Sequence, residues 1–429
     1  MADLLHRLAF VLLLILSANL SLGSCQRITS KDGLKLLLET VFNMPRSPSQ
    51  GAERTRVRTN ITMVMQSAVD ALPSNLAGRV LNSTVNFNSA SNNAGQNIVY
   101  MVKGVNFGQS TDKPILVGAN YDTAPASPGV NNDGSGMAAL LEIGRSLVSG
   151  LQNCTFNHTI ILVAFDLGED SIAGSNSYVG TLTTFLQQNG LTASSFQGAF
   201  ILAAMLNFDE TDNSQTVPAM LATEIPYQVQ LNSNNNNRGN FLAAVGRQDD
   251  NELVELVNSE WYNIVGGDFN SAKYKFVPYN ISLAGHVSDF ILSLLGPFIQ
   301  LVRYDQFSFW EAGKAFAPVG LKAVLITDTV SYRGYMQQCN RQACDDVSKI
   351  SDERLQFLNI GADAILRAVV ILSTGASDAK CLGANTSGNT GSGPQSNNVA
   401  SIFASRNIMD IYIAVIMFVA VTNCFSTRF

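Results

Sequence analysis

The chain has 429 residues, a formal net charge of −6 and a hydrophobic content of 46%. This length and composition suffice for one large α/β core and exclude a chain that is too polar to bury one. The mildly acidic balance gives no reason to expect a nucleic acid partner.

The first residues, 1–24, are typical of a signal peptide. Arg7 precedes an apolar run from Leu8 to Leu16, and the small residues Ser21 and Gly23 follow. A signal anchor is the alternative, but the apolar run is short for one. We therefore expect cleavage close to Gly23 and a mature chain in the secretory pathway.

Two units of strand, polar loop and helix follow the first predicted helices and strands. Each begins with a continuous apolar run, Ile115–Ala119 and Ile161–Phe165. The first run leads to the loop Pro128–Gly136 and a helical pattern over Met137–Leu147. Continuous apolar strands that alternate with helices predict a buried parallel sheet, whose ligands bind at the carboxyl ends of the strands. The other predicted elements are helices over Ile28–Phe42, Ala52–Leu72, Asn251–Tyr262 and Arg354–Leu372, a helix entry at Asp305, and strands over Val85–Phe87, Ile98–Val102, Phe200–Asp209 and Leu321–Ile326.

These elements predict one α/β domain over residues 25–373. We expect a mixed, largely parallel central sheet of about eight strands, flanked by helices in a three-layer arrangement. The Asn-rich segment Leu231–Asn240 contains too many turn formers for a regular element.

The C-terminal region predicts a tether. Residues 374–410 form a Gly/Ser/Asn-rich flexible linker, and residues 411–425 hold a hydrophobic tail. Its apolar run, Ile411–Val421, is short for a membrane-spanning helix. Small residues near Asn398 favour a glycolipid-anchor signal, with a transmembrane tail as the alternative. Either form predicts a membrane-anchored extracellular protein at the cell surface.

Secretion makes cysteines and glycosylation sequons informative. Cys25 lies at the predicted cleavage boundary and Cys424 in the tail. The remaining disulfide candidates are Cys154, Cys339, Cys344 and Cys381. Sequence alone leaves three connectivities open. Candidate glycosylation sites, which support a glycosylated surface, are Asn60, Asn82, Asn153, Asn157, Asn280 and Asn385.

Polar segments at the predicted strand ends occur in the order of a known family. They are Asn120-Tyr121-Asp122, Pro128–Gly136, Gly168-Glu169, Asn207-Phe208-Asp209 and Asp305-Gln306 before an aromatic-rich stretch. Over residues 55–373 the chain resembles the co-catalytic zinc exopeptidases, which include secreted aminopeptidases, glutamate carboxypeptidase and the related glutaminyl cyclases. The resemblance implies a zinc-aminopeptidase-like fold.

The metal site of that family is degenerate here. Its members bind two zinc ions through a shared carboxylate, and a neighbouring Glu activates the bridging water. The resemblance implies that ligands are lost at Asn120, Asn132 and Gln306 and that Gly168 stands at the general-base position. It leaves Glu169 and Asp209 at ligand positions and Asp122 in the surrounding shell. No catalytic residue is therefore expected.

The small number of histidines agrees with this interpretation. The chain has 3: His6 in the signal peptide, His158 inside the Asn157 sequon, and His286 outside the motifs. Imidazole is the usual nitrogen ligand of zinc, so a two-imidazole site cannot be assembled. We expect no cofactor, or zinc if the protein is active. A Ca²⁺ site of Glu169, Asp209 and amide oxygens is a further hypothesis.

We predict a membrane-tethered extracellular pseudopeptidase that binds an unknown protein or peptide partner. In one version, Glu169 and Asp209 pair with the α-ammonium group of a peptide. Family relatives that lost the site serve as receptors or complex subunits, as the resemblance implies. The alternative is a zinc-dependent aminopeptidase with non-standard ligands.

Overall fold

The computed structural model describes residues 28–223, 225–289 and 303–383. The predicted signal peptide, the hydrophobic tail, Asn385 and most of the predicted linker lie outside the described residues.

The described strands form one eight-stranded sheet with the order β1-β2-β4-β3-β5-β8-β6-β7. The strands are β1 Val80–Asn88, β2 Ala94–Val102, β3 Ile115–Asn120, β4 Ile160–Phe165, β5 Gly198–Leu202, β6 Phe241–Arg247, β7 Lys275–Ile281 and β8 Ala323–Thr327. The pairs β3–β4, β3–β5, β5–β8 and β6–β7 are parallel. The pairs β1–β2, β2–β4 and β6–β8 are antiparallel. The predicted mixed, largely parallel sheet is therefore confirmed.

The central strands are apolar on both faces because helices cover both. Along β3, Val117 packs in one core and its neighbour Leu116 in the other. Along β5, Phe200 and Ile201 separate in the same way. Successive strand residues point to opposite faces, so a continuous apolar run suits a sheet that is buried on both sides. The three-layer α/β arrangement is confirmed.

The helices divide between the two faces. They are α1 Lys31–Thr40, α2 Gly51–Asp70, α3 Ser74–Ala77, α4 Gly134–Gly150, α5 Ala173–Gln188, α6 Ala219–Ala222, α7 Pro226–Asn234, α8 Asn251–Val265, α9 Gln306–Trp310, α10 Met336–Cys339 and α11 Asp352–Thr374. Helices α1, α2, α4, α8 and α11 share one apolar core, while α5 and α9 pack on the opposite face.

Helix α11 has clear start and stop signals. The Ser351 side chain accepts a hydrogen bond from the Arg354 N–H, and Gly375 ends the helix with φ +69°. These are a standard N-cap and a left-handed C-cap. Within the described ranges, α11 is the one helix long and apolar enough to cross a membrane, but 83% of its most apolar window is buried inside the protein. It is a core helix.

Four details differ from the sequence-based expectations. The strand expected over Phe200–Asp209 ends at Leu202. Strands β6 and β7 were not expected, and α7 extends into the Asn-rich segment as far as Asn234. Ordered packing also continues past the expected boundary at residue 373, because Ala379 is buried and Cys381 forms a disulfide.

Candidate functional site

Four neighbouring strands, β4, β3, β5 and β8, run parallel and end at one edge of the sheet. The segments that leave these ends carry Asn120, Glu169, Asn207 and Asp328. Carboxyl ends of parallel strands are where α/β folds place their sites. The expected site edge is therefore built from these segments.

Asn120, at the end of β3, fills the space beside Gly168. The Asn120 Oδ1 atom accepts a hydrogen bond from the Gly168 N–H (3.1 Å), and its Nδ2 donates to Asp133 Oδ2 (3.0 Å). A Cβ atom on Gly168 would lie 2.2 Å from Asn120 Nδ2. Because real Cβ contacts are never that short, a side chain at position 168 would require Asn120 to move. Asn120 and Gly168 are thus mutually dependent.

Asp122 lies beneath this pair. Its Oδ1 accepts from the Gly168 N–H at 2.7 Å, and the residue is fully buried. Burial and, next to it, the charge of Asp166 raise the pKa of Asp122 to about 7, against the opposing hydrogen bonds from Asn120 and Gly168. Among the described residues, Asp122 Oδ2 has no hydrogen-bond partner. Asp122 is therefore a buried carboxyl that retains a proton more readily than an exposed one.

Asp133 and Asp305 extend an acidic cluster around Glu169. Burial, followed by the charge of Glu169, raises the pKa of Asp133 well above its ordinary value. Asp305 and Asp122 raise the pKa of Asp133 as well. Burial brings the pKa of Asp305 itself to about 6. We call Asp122, Asp133, Glu169 and Asp305 the acidic cluster.

The side chain of Glu169 pairs with an arginine. Arg341 Nη2 lies 2.8 Å from Glu169 Oε2. Burial raises the pKa of Glu169, and the charge of Arg341 opposes that rise. Arg341 belongs to a short loop closed by the Cys339–Cys344 disulfide. A guanidinium group therefore neutralises the carboxylate that was expected at a zinc-ligand position.

The same disulfide loop also contacts Asn132. The Asn132 Nδ2 atom donates to Asn340 Oδ1 at 2.9 Å. Just past the loop, Asp345 accepts from the backbone N–H groups of Asn131 (2.8 Å) and Asn132 (3.0 Å). Burial raises the pKa of Asp345 to about 6, although these hydrogen bonds favour its ionised form. The position expected for the bridging carboxylate is thus an amide that binds the disulfide loop.

Side chains of the Pro128–Gly136 loop and of Asp328 form hydrogen bonds with the backbone of the segment that follows β5. The Asn131 side chain donates to Asp328 Oδ2 and accepts from the Leu206 N–H, both at 2.9 Å. Ser135 Oγ accepts from the Met205 N–H, and Asp328 Oδ2 accepts from the Asn207 N–H. These backbone groups bind side chains instead of a neighbouring strand, which explains why β5 ends early.

Arg46 binds the backbone at the start of the Pro128–Gly136 loop. Its guanidinium donates to the carbonyls of Tyr121 (2.5 Å), Pro128 (2.6 Å) and Gly129 (3.1 Å). Burial lowers the pKa of Arg46 to about 10, and the charge of Asp133 opposes this. The loop geometry is therefore set by a buried cation bound to carbonyl oxygens.

Asp209 and Gln306 have different surroundings from Glu169. Asp209 Oδ1 accepts from the Thr211 N–H at 2.9 Å, and its Oδ2 lies 2.6 Å from where a Cβ of Gly334 would be. Gln306 is buried at the start of α9, whose Ser308 hydroxyl bonds Ser175 on α5. No described contact joins Asp209 to Glu169.

Zinc does not fit this arrangement. Within the described ranges, no group of three His, Cys, Asp or Glu side chains is arranged to hold a metal ion. His286 is buried with Nε2 2.8 Å from the Ala317 carbonyl, and His158 Nδ1 accepts from the Lys113 N–H. Both imidazoles that were open to question therefore have local structural partners, and the guanidinium of Arg341 is in contact with Glu169. No chemical step through zinc follows from these residues.

The cysteines form disulfides, as expected, and the structure selects one connectivity. The pairs are Cys154–Cys381 and Cys339–Cys344. Structural disulfides are typical of proteins that fold in an oxidising compartment. Of the described sequon residues, Asn82, Asn153 and Asn280 are exposed, whereas Asn60 and Asn157 are half-buried.

Sequence reasoning missed the residues that now define the site: Asp133, Asp345, Asn340 and Arg341. Asp133 is adjacent to Asn132, so a carboxylate in the same loop was visible. The signal for Arg341 was its place between Cys339 and Cys344, five positions apart. A small disulfide loop near the last strand was a feature to test against the strand ends.

Comparisons with known proteins agree with the fold. The profile of Peptidase family M28 matches residues 97–276. Aminopeptidase YwaD of Bacillus subtilis (strain 168) is 33% identical over 101 residues, which is 24% of this chain and 21% of that protein. The chain thus spans about a fifth of the length of this curated relative.

A solved structure is similar over a longer range. The LapA aminopeptidase of Legionella pneumophila superposes with a TM-score of 0.51 and 13% sequence identity, over 81% of this chain and 72% of LapA. At this identity the likeness establishes the α/β fold alone.

Proposed function

Because the chain belongs to the M28 family of zinc exopeptidases, we propose that it is a peptidase-like protein that has exchanged catalysis for binding. In this proposal it is a pseudopeptidase, tethered outside the cell, that captures a protein or peptide partner. The single observation that carries the proposal is the ion pair between Glu169 and Arg341 in the expected metal site.

Three structural features support the loss of chemistry. A general base is needed to activate water, and Gly168 has no side chain at that position. The neighbouring Asn120 occupies the space that a side chain there would need. A metal is needed to polarise the carbonyl, and the described donors do not group around one. Loss of a general base alone costs about 10²–10⁴ in rate.

Glu169 and Asp209 have separate contacts, so the proposal uses another mode of binding than joint capture of an α-ammonium group. Glu169 and Asp209 were expected to receive an α-ammonium group together. Arg341 already pairs with Glu169, and Asp209 contacts Thr211 instead. A partner therefore binds in one of two ways. It binds the outer face of the disulfide loop, or it binds Glu169 after the loop has moved away.

The proposed location at the cell surface rests on the sequence features and on the disulfides. Treatment of expressing cells with a phosphatidylinositol-specific phospholipase tests the form of the tether. Release into the medium supports a glycolipid anchor. Complete retention on the membrane supports a transmembrane tail.

The proposed loss of activity is tested with purified ectodomain and aminoacyl-anilide and glutaminyl substrates. We expect no turnover above that of the heat-denatured protein. Turnover that a chelator abolishes and zinc restores would establish the alternative, an aminopeptidase with non-standard ligands.

A further inference from the structure

The disulfide loop Cys339–Cys344 places the guanidinium group of Arg341 beside Glu169 of the acidic cluster. Arg341 Nη2 is 2.8 Å from Glu169 Oε2, while the adjacent Asn340 accepts a hydrogen bond from Asn132. The disulfide closes the loop over five positions and therefore restricts the backbone that carries both contacts.

The cluster has four carboxyl groups and two nearby guanidinium groups, those of Arg341 and the buried Arg46, whose charge acts with those of Asp133 and Asp122. The charges of Glu169, Asp305 and Asp122 all act on Asp133. The fully buried Asp122 carries an oxygen, Oδ2, for which the described residues supply no hydrogen-bond partner. A positive charge within about 4–6 Å favours the ionised form of a carboxyl group, so a bound cation stabilises carboxylates that burial otherwise keeps protonated. The cluster is therefore a receptor for positive charge.

The internal cation is held weakly. The Arg341 side chain is 56% exposed, whereas that of Glu169 is 17% exposed. An ion pair whose cation is mostly solvated contributes little to stability. Displacement of Arg341 by an equivalent group therefore meets little resistance.

We propose that the acidic cluster is a guanidinium-binding site, which Arg341 fills in the isolated chain and an arginine side chain of a protein partner fills in the complex. The inference rests on the proposed binding function and names its ligand class. A planar guanidinium fork spreads its donors over several carboxylate oxygens, which suits this cluster better than a point charge does. The disulfide loop is then an internal competitor of the partner.

The test removes the competitor and supplies the group from outside. Arg341→Ala is made in the mature chain, and the probe is N-acetyl-arginine amide, which has no free α-ammonium group. Calorimetry measures its affinity for wild type and variant. We expect Arg341→Ala to bind the probe about tenfold more tightly or better. In wild type Arg341 occupies the site most of the time, and the apparent affinity is reduced in proportion to the fraction of molecules whose site is open.

Matched variants identify the site. Arg341→Ala combined with Glu169→Gln is expected to lose the gained affinity. Arg238→Ala removes an exposed arginine paired with Asp212 and is expected to leave the wild-type affinity unchanged. N-acetyl-lysine amide, which carries a point charge, is expected to bind Arg341→Ala more weakly than the arginine probe.

Equal affinity of wild type and Arg341→Ala, or a gain that survives Glu169→Gln, would overturn the inference. Thermal melting checks that each variant is folded, and Arg341→Gln replaces Arg341→Ala if that variant does not fold. The proposed function fails separately: zinc-dependent turnover by wild type would reject it, whereas an unchanged probe affinity of Arg341→Ala in an inactive, zinc-free protein rejects only the guanidinium site.

Discussion

Asn120 and Gly168 depend on each other for their packing. Position 168, where the resemblance implies a general base, has no side chain, and the amide of Asn120 lies where that side chain would begin. Asn120 is held there by Asp133 and by the Gly168 N–H. A side chain at position 168 therefore requires Asn120 to move.

This dependence predicts an unusual cost for a small substitution. Gly168→Ala is expected to lower the free energy of unfolding by about 1–3 kcal/mol, as overpacking of a buried site does. The control is Gly180→Ala on the exposed side of α5, where a Cβ meets nothing within 4 Å. That change is expected to stabilise the helix by about 0.5–1 kcal/mol. Chemical denaturation measures both, and a Gly168→Ala variant as stable as Gly180→Ala would contradict the packing described for Asn120.

Asp122 predicts how stability depends on pH. Its pKa in the folded state is about 7 against an ordinary value of 3.8, so the folded chain holds more protons than the unfolded chain between these values. Stability from this group is therefore fully present below about pH 4 and is lost as the pH rises towards 7. We expect Asp122→Asn to flatten that decline, measured as the melting temperature at several pH values.

Asp170 provides the control for this pH effect. Hydrogen bonds from Ser89 and Asn93 lower its pKa below 3.8, so its contribution changes only in more acidic solution. Asp170→Asn is expected to leave the slope between about pH 5 and pH 7 as in wild type. A slope that Asp122→Asn and Asp170→Asn change alike would assign the effect to net charge instead.

At the scale of elements, the two disulfides have different roles. Cys154–Cys381 spans 227 positions and fastens the segment after α11 to the segment after α4. Cys339–Cys344 spans 5 positions and shapes the loop that carries Arg341. The first constrains the whole chain, and the second constrains the site.

The difference predicts unequal stabilisation. By loop-closure entropy, removing the long-range disulfide costs about 5 kcal/mol and removing the short one about 2 kcal/mol. Serine pairs, Cys154→Ser with Cys381→Ser and Cys339→Ser with Cys344→Ser, are compared by denaturant unfolding. The Cys154→Ser change keeps the Asn153 sequon intact, because the middle position of a sequon accepts any residue except proline. A larger loss from the short loop would mean that its site contacts outweigh chain entropy.

The sequence was sufficient for elements with strong local signals. Continuous apolar runs identified β3 and β4, and the helical pattern over Arg354–Leu372 identified α11, to which the structure adds the Ser351 cap. Strand β7 was hidden because Pro278 argues against a strand, yet β7 pairs with one neighbour only and so tolerates it at the edge. Strand β6 follows an Asn-rich segment and lacks alternation.

The site was harder to predict because its contacts join distant parts of the chain. The strand-end motifs brought Asn120, Gly168 and Glu169 into consideration. The Glu169–Arg341 ion pair and the hydrogen bond from the Asn131 N–H to Asp345 join residues that are far apart in the sequence. No local sequence pattern encodes such contacts. The resemblance predicted which ligand positions differ from the family pattern, but not which contacts the residues at those positions make.

At the scale of the whole molecule, two neighbouring sequons differ in how accessible their asparagines are. Asn153 is exposed, whereas the amide nitrogen of Asn157, which glycosylation would need, donates to the Thr374 carbonyl at 2.6 Å. Thr159 of the second sequon is also buried. In secreted protein, Asn153→Gln is expected to remove one glycan from the mass, and Asn157→Gln to remove none. Mass spectrometry of the intact protein distinguishes them, and a glycan found on Asn157 would contradict the described contact.

We propose that a guanidinium and amides stand where the related zinc exopeptidases bind their metals. Equilibrium dialysis of the purified ectodomain against zinc, followed by quantification of bound metal, tests it most directly. Residual surface binding is removed by a brief wash with a weak chelator. If a guanidinium and amides stand in place of the metals, far less than one zinc ion remains bound per chain. One or two tightly held zinc ions per chain, lost on substitution of Glu169 by Gln, would contradict it.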